Sequence, residues 1–243
     1  MTALLYCLPH AGGGGHQYLS LSSHLHPDVE WVPLDYPGHF SRADERLEHS
    51  LDGLAYTLSA EILAHASGRQ FAVFGHSMGG ALAFEIAHHV AARGADTLRV
   101  VMISSAAPPQ RASHTAHEHF TLDDATFVRH LVDTGGLSEA AAANPALLRA
   151  VLPLIRHDYR LYFEHVPPAR APLDVPLTVF WGEAETALEP VMRAWADCSR
   201  GDFAGKRYPG GHFYWQSSTG ELASDISASA RHHMSAPLLR FSG

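Results

Sequence analysis

Cysteine is nearly absent: the 243 residues include two, Cys7 and Cys198. Two are too few for a disulfide framework, and they lack the C-x-x-C spacing of zinc or redox sites. Reduced thiols in a cytoplasmic protein are the expectation. Charge is sparse too, at 17% of residues, with 17 Lys and Arg against 25 Asp and Glu for a formal charge of −8. That balance argues against a protein held to nucleic acid through phosphate contacts. No window approaches the ~18 apolar residues of a membrane span. The start, Met1-Thr2-Ala3-Leu4-Leu5-Tyr6-Cys7-Leu8, lacks the basic residues of a signal peptide and runs straight into Pro9-His10-Ala11-Gly12. It reads as a strand. Repeats and low-complexity segments are missing as well.

Apolar residues, in contrast, make up 46% of the chain, enough for a sizeable core. Short runs at Leu4–Leu8, Trp31–Leu34, Phe71–Phe74, Val100–Ile103 and Leu177–Trp181 have strand length and abut Gly, Pro or Ser. Runs apolar throughout predict strands covered on both faces, as in a parallel sheet. Helical periodicity separates them at Leu51–Ala64, Met78–Ala92 and Glu221–His233. The alternation predicts a doubly wound α/β fold. It breaks from Ala107 to Pro172, where three helical patterns (Leu122–Asp133, Ser138–Ala143, Pro145–Glu164) come without a strand. This segment reads as a helical lid, residues 107–172, inserted in a core of residues 1–106 and 173–243. Pro167-Pro168-Ala169-Arg170-Ala171-Pro172 is the stiff return.

Gly75-His76-Ser77-Met78-Gly79 is G-x-S-x-G between an apolar strand and an amphipathic helix. A serine hydroxyl is a weak nucleophile and must project from a sharp turn toward a base, with glycines where side chains would clash. The backbone N–H of Met78, at the helix start, then faces a developing oxyanion. Pro9-His10-Ala11-Gly12-Gly13-Gly14-Gly15 follows the first strand and suits the other half of that oxyanion hole, with Ala11 as donor. A dinucleotide loop is the rival reading. It fails on spacing, because Gln17 and Tyr18 stand where its third glycine belongs.

The base should follow late in the chain, and His212 in Pro209-Gly210-Gly211-His212-Phe213 comes after a short strand near Phe203–Tyr208. The acid that fixes its tautomer belongs after strand Leu177–Trp181, in Gly182-Glu183-Ala184-Glu185-Thr186. Glu185 is the choice, with Glu183 and Glu189 behind it.

With these residues in place the chain resembles the stand-alone type II thioesterases of polyketide and nonribosomal peptide synthesis, within the α/β-hydrolase superfamily. Pro9-His10-Ala11-Gly12-Gly13 matches the P-x-A-G-G of that family, and Gly75-His76-Ser77-Met78-Gly79 its nucleophile elbow. Pro153-Leu154-Ile155-Arg156-His157-Asp158-Tyr159 matches its cap helix, and Pro209-Gly210-Gly211-His212-Phe213 its histidine loop. Two positions depart from the pattern. Glu185 replaces the aspartate of G-x-x-D, and His39 replaces the arginine of P-G-R after Pro37-Gly38. In related domains fused to synthases the acid follows an earlier strand. Here that strand ends in Ser104-Ser105, without a carboxylate.

The resemblance implies an α/β-hydrolase fold, a mostly parallel sheet with flanking helices and a helical lid. It also implies hydrolysis of acyl thioesters on the phosphopantetheine arm of acyl or peptidyl carrier proteins, clearing aberrant or stalled chains. No cofactor, metal, nucleic-acid or membrane partner is expected. Acyl transfer or cyclisation, cleavage of small esters and a catalytically silent binding role remain alternatives at this level. The −8 charge leaves docking on an acidic carrier to a local basic patch or apolar contact, and Arg42 and Arg46 are basic candidates that read as a solvated face.

Histidine is abundant, at 19 residues. His114-x-x-His117-x-His119 and His24-x-His26 lack the carboxylate or cysteine company and the spacing of familiar metal sites. His88-His89 reads as packing, and His10 and His76 neighbour the site through their motifs. One histidine, His212, carries the expected chemistry.

Overall fold

Each apolar strand feeds two layers, because successive side chains leave a strand on opposite faces. In the computed structural model, which describes residues 2–111, 121–185 and 189–235, β1 (Ala3–Leu8) sends Leu4, Tyr6 and Leu8 to one layer and Leu5 and Cys7 to the other. Neighbouring β3 (Phe71–His76) does likewise, Phe71 and Val73 opposing Ala72 and Phe74. The sheet is completed by β2 (Val29–Pro33), β4 (Leu98–Ser104), β5 (Leu177–Gly182) and β6 (Phe203–Tyr208). Its order is β2-β1-β3-β4-β5-β6, and the strands pair in parallel throughout. The four inner strands are buried along their whole length, whereas β2 and β6 at the edges are partly exposed. The expected doubly wound fold is thus the one formed.

Strand β4 starts two residues earlier than the apolar pattern indicates. Arg99 interrupts that pattern, yet it is buried, with Nε and Nη2 donating to the His233 carbonyl at 3.2 and 3.0 Å.

Helices α1 (Leu19–Ser22), α2 (Leu51–Ala66) and α3 (Met78–Ala92) lie among the first four strands. Ser50 caps α2 by accepting from Gly53 N–H, as Ser/Asp/Asn residues do at helix starts. Between β4 and β5 come α4 (Asp124–Asp133), α5 (Glu139–Ala142) and α6 (Pro145–Phe163), capped by Asp123, Ser138 and Asn144. Phe127, Leu131, Leu152 and Ile155 form a third apolar cluster of their own. Pro153 stands inside α6 on its exposed side, so the backbone hydrogen bond it removes lies toward solvent. Helices α7 (Glu189–Arg193) and α8 (Thr219–Ser235) follow β5 and β6. His114, His117 and His119 lie outside the described residues.

No helix among the described residues is long and apolar enough to cross a membrane. Cys7 and Cys198 are both free and buried.

Candidate active site

The segments singled out by sequence all leave the carboxyl ends of the strands, where parallel sheets gather their functional loops. Ser77 directly follows β3 and precedes α3, with φ 56° and ψ −122°. Holding a non-glycine residue there costs on the order of 1–3 kcal/mol. The turn is locked because Ser77 N–H donates to the Ser104 carbonyl at 2.8 Å, and the Ser77 carbonyl accepts from Gly80 N–H at 2.8 Å. A Cβ on Gly75 would stand 1.9 Å from the Gly79 carbonyl oxygen, and one on Gly79 2.2 Å from that of Leu8. Both glycines of the motif are therefore required by contact.

The loop after β1 can be accounted for donor by donor. His10 N–H donates to Tyr18 Oη at 3.3 Å, Gly12 N–H to Asp158 Oδ2 at 2.7 Å and Gly13 N–H to the His10 carbonyl at 2.8 Å. Gly14 N–H donates to Gln17 Oε1 at 3.1 Å and Gly15 N–H to Asp35 Oδ1 at 2.9 Å. Within the loop, and among the described residues, Ala11 N–H alone is left uncommitted. Met78 N–H occupies the first position of α3, where no intrahelical acceptor exists. The two expected oxyanion donors thus have no acceptor among the described residues, a state that Gly79 N–H at the second position of α3 shares.

His212 and Glu185 meet across two loops. His212 Nδ1–H donates to Glu185 Oε1 at 2.8 Å. The other carboxylate oxygen, Oε2, accepts from Ser105 Oγ at 2.7 Å and Gly182 N–H at 3.2 Å. The acid turn closes through Glu185 N–H to the Gly182 carbonyl (3.1 Å) and is tied to the histidine loop through Ala184 N–H to the Gly210 carbonyl (2.9 Å). Burial alone would raise the Glu185 carboxyl, but the hydrogen bond and charge of His212, with Ser105 and Gly182, hold it below the usual glutamate value. The alternatives Glu183 and Glu189 face Arg207 at 3.6 and 3.5 Å, and Glu189 also pairs with Arg193 at 2.8 Å. No hydrogen bond joins Ser77 to His212 here, as is common before substrate tightens such a site.

His10 and His76 surround His212. The ring of His76 lies 4.9 Å from that of His212 and 6.1 Å from that of His10, and Phe213 wedges against all three. His76 Nδ1 is 2.8 Å from Ser104 Oγ, which is 2.7 Å from Tyr214 Oη; His10 Nδ1 is 2.8 Å from Tyr18 Oη. Burial, then the neighbouring His212, drives His10 down to about 3 and His76 well below its usual value. Both are neutral near pH 7, so an imidazolium on His212 meets no adjacent cation. A cleft of about 360 Å3 lined by His10, Phe213, Trp215, Gly135 and Gly136 opens alongside.

Sequence reasoning missed two partners. In the sequence Ser105 stands out only as a strand end without a carboxylate, and Asp158 only as part of the cap motif. His39 Nε2 lies 3.1 Å from Asp158 Oδ2, both side chains buried. Arg42 is committed to Glu45 and Glu61 at 2.6 and 2.8 Å, and His89 Nε2 to Asp52 Oδ1 at 2.9 Å. Among the described residues one group suits a metal ion, Asp202, His232 and His233. It stands before the amino end of β6, away from the strand ends that carry Ser77.

Comparison with known proteins gives a consistent result. The thioesterase domain family matches residues 3–230. The thioesterase PikA5 of Streptomyces venezuelae is 32% identical over 226 residues, covering 92% of this chain and 79% of that protein. The RedJ thioesterase from the prodiginine biosynthetic pathway of Streptomyces coelicolor superposes with a TM-score of 0.86 at 30% identity, over 93% of this chain and 85% of that one. ClbQ from the colibactin NRPS/PKS pathway gives 0.86 at 28% identity, over 96% and 98%. This chain belongs to the thioesterase domain family.

Proposed function

We propose that this thioesterase releases acyl chains from the phosphopantetheine arm of acyl or peptidyl carrier proteins, with Ser77 as nucleophile, His212 as base and Glu185 as acid. The observation that carries the reading is the Glu185–His212 pair, 2.8 Å apart and set at the same strand ends as the Ser77 elbow. Ser77 Oγ attacks the thioester carbonyl carbon and gives its proton to His212 Nε2, while Glu185 stabilises the imidazolium through Nδ1–H. Met78 and Ala11 N–H groups receive the oxyanion. Collapse breaks the C–S bond, and His212 returns the proton to the departing thiolate. Water, activated by His212, then attacks the acyl-serine ester and frees the acid.

Helices α4 to α6 of the inserted segment act as a lid on the core of residues 1–106 and 173–243, and the cleft lined by His10 and Phe213 lies beside the loop that carries His212. The likeness to PikA5, RedJ and ClbQ supports a role in polyketide or nonribosomal peptide synthesis. No step calls for a cofactor.

Mass spectrometry of a panel of acyl-loaded carrier proteins treated with the enzyme tests the reading. Free acid and regenerated holo-carrier are expected. A cyclic or transferred product, or untouched carriers alongside hydrolysed small esters, would overturn it.

A further inference from the structure

The buried pair His39–Asp158 joins three segments. His39 follows β2, Asp158 lies on α6, and Gly12 sits in the loop after β1 that carries Ala11. Asp158 Oδ2 accepts from Gly12 N–H at 2.7 Å and faces His39 Nε2 at 3.1 Å. The other ring nitrogen, His39 Nδ1, faces the Pro37 carbonyl at 3.1 Å. Both nitrogens thus point at oxygens that only accept, and an imidazole donates from both only when protonated. Asp158 Oδ1 is buried with no hydrogen-bond partner among the described residues, so Oδ2 carries the whole anchorage. The loop is seated as well: Gly12, at φ +71°, lies so close to α6 that a Cβ there would be 2.3 Å from Ile155 Cγ1.

We propose that His39 and Asp158 are positioning residues for thioester cleavage: the His39 imidazolium holds Asp158, and Asp158 fixes Gly12 so that the adjacent Ala11 N–H points at the oxyanion. The proposal rests on the oxyanion role given to Ala11 above. The titratable groups facing His39 are Asp158 and His157 from α6 and Asp35 and Tyr36 from its own loop. Burial pulls the His39 pKa down, but the hydrogen bond and charge of Asp158, the Pro37 carbonyl and Asp35 outweigh it and leave it above 6.5. Loss of that proton turns one ring lone pair onto an oxygen and strips Asp158 of its counter-charge. The interaction at stake forms with the oxyanion, so kcat falls while KM holds.

The test measures kcat and KM from pH 6 to 10 on an acyl-pantetheine thioester, with melting curves at each pH. It compares wild type, His39→Gln, His39→Arg and Asp158→Asn. Loss of one oxyanion donor costs about 10²–10³ in kcat. His39→Gln and Asp158→Asn, which displace a donor rather than delete it, should lower kcat about 10–100-fold with KM within about threefold. Arginine, a permanent cation, should retain kcat at alkaline pH where the wild type loses it.

Nitrogen-15 NMR of labelled histidine, in wild type and in Ser77→Ala, gives a readout independent of turnover. The His39 ring should titrate with a midpoint above 6.5, and the Gly12 amide resonance should move with it. A midpoint at or below 6.5, or a folded His39→Gln enzyme with unchanged kcat and pH profile, would overturn the proposal. If the wild type cleaves no thioester, the functional reading fails instead, and the NMR titration still decides whether His39 controls Gly12. If His39→Arg does not fold, Asp158→Asn and the titration carry the decision.

Discussion

Ser105 Oγ donates to Glu185 Oε2 at 2.7 Å across 80 residues of sequence. The residue that follows β4 thus supplies a hydroxyl that steadies the proposed acid after β5. A hydrogen bond to a charged group contributes about 1.5–3 kcal/mol. Ser105→Ala should therefore lower kcat about tenfold and leave the melting temperature within a few degrees. Steady-state kinetics on a thioester decide it, and an unchanged kcat would remove Ser105 from the network.

Glu185→Gln keeps the volume and forfeits the charge that selects the working tautomer of His212. Turnover should drop on the order of 10³–10⁴-fold. Glu183→Gln and Glu189→Gln, whose carboxylates face surface arginines, should stay within about twofold because exposed pairs contribute little. A larger loss in either than in Glu185→Gln would reassign the acid.

A fluorophosphonate probe should label the wild type on the tryptic peptide containing Ser77 and leave Ser77→Ala unlabelled. Peptide mapping reads the site directly, and equal labelling of the two proteins would exclude Ser77 as the nucleophile.

Acid should unfold this protein early. His10 and His76 have folded pKa values below the unfolded value of about 6.5. The unfolded chain therefore takes up protons first, and stability falls as pH drops through 6.5, for His10 down to about 3. Each histidine contributes up to about 1.4 kcal/mol per pH unit across that window. His39 has the opposite sign: its raised pKa gives stability that is complete below 6.5 and lost as pH rises through the folded value. Urea unfolding at pH 7, 6, 5 and 4 checks this. His10→Gln should flatten the acid slope by one histidine, and a slope identical to wild type would contradict the burial argument.

The sheet was legible in the sequence because strand burial imprints itself on consecutive residues, and the elbow because contact forces glycine at Gly75 and Gly79. Motif order points to His212 and to the loop after β5, within which the sequence leaves Glu185, Glu183 and Glu189 in competition. Ser105 and Asp158 were not legible as partners. Their hydrogen bonds to Glu185 and Gly12 span 80 and 146 residues, and a serine or aspartate carries no local pattern that names a distant acceptor or donor. Arg99 hid the first two residues of β4 for a related reason, since its side chain is held by a carbonyl 134 residues away.

Helix α6 holds the loop after β1, since Ile155 and Asp158 grip the backbone at Gly12. Exchanging the segment between β4 and β5 for that of a relative, in the hope of altering acyl preference, would also exchange one wall of the oxyanion loop. Such a chimera should lose turnover on every substrate alike unless residues 10–15 and 37–39 travel with the segment. Under the proposed mechanism, any change in chain-length selection made through this segment would carry a change in catalytic rate with it.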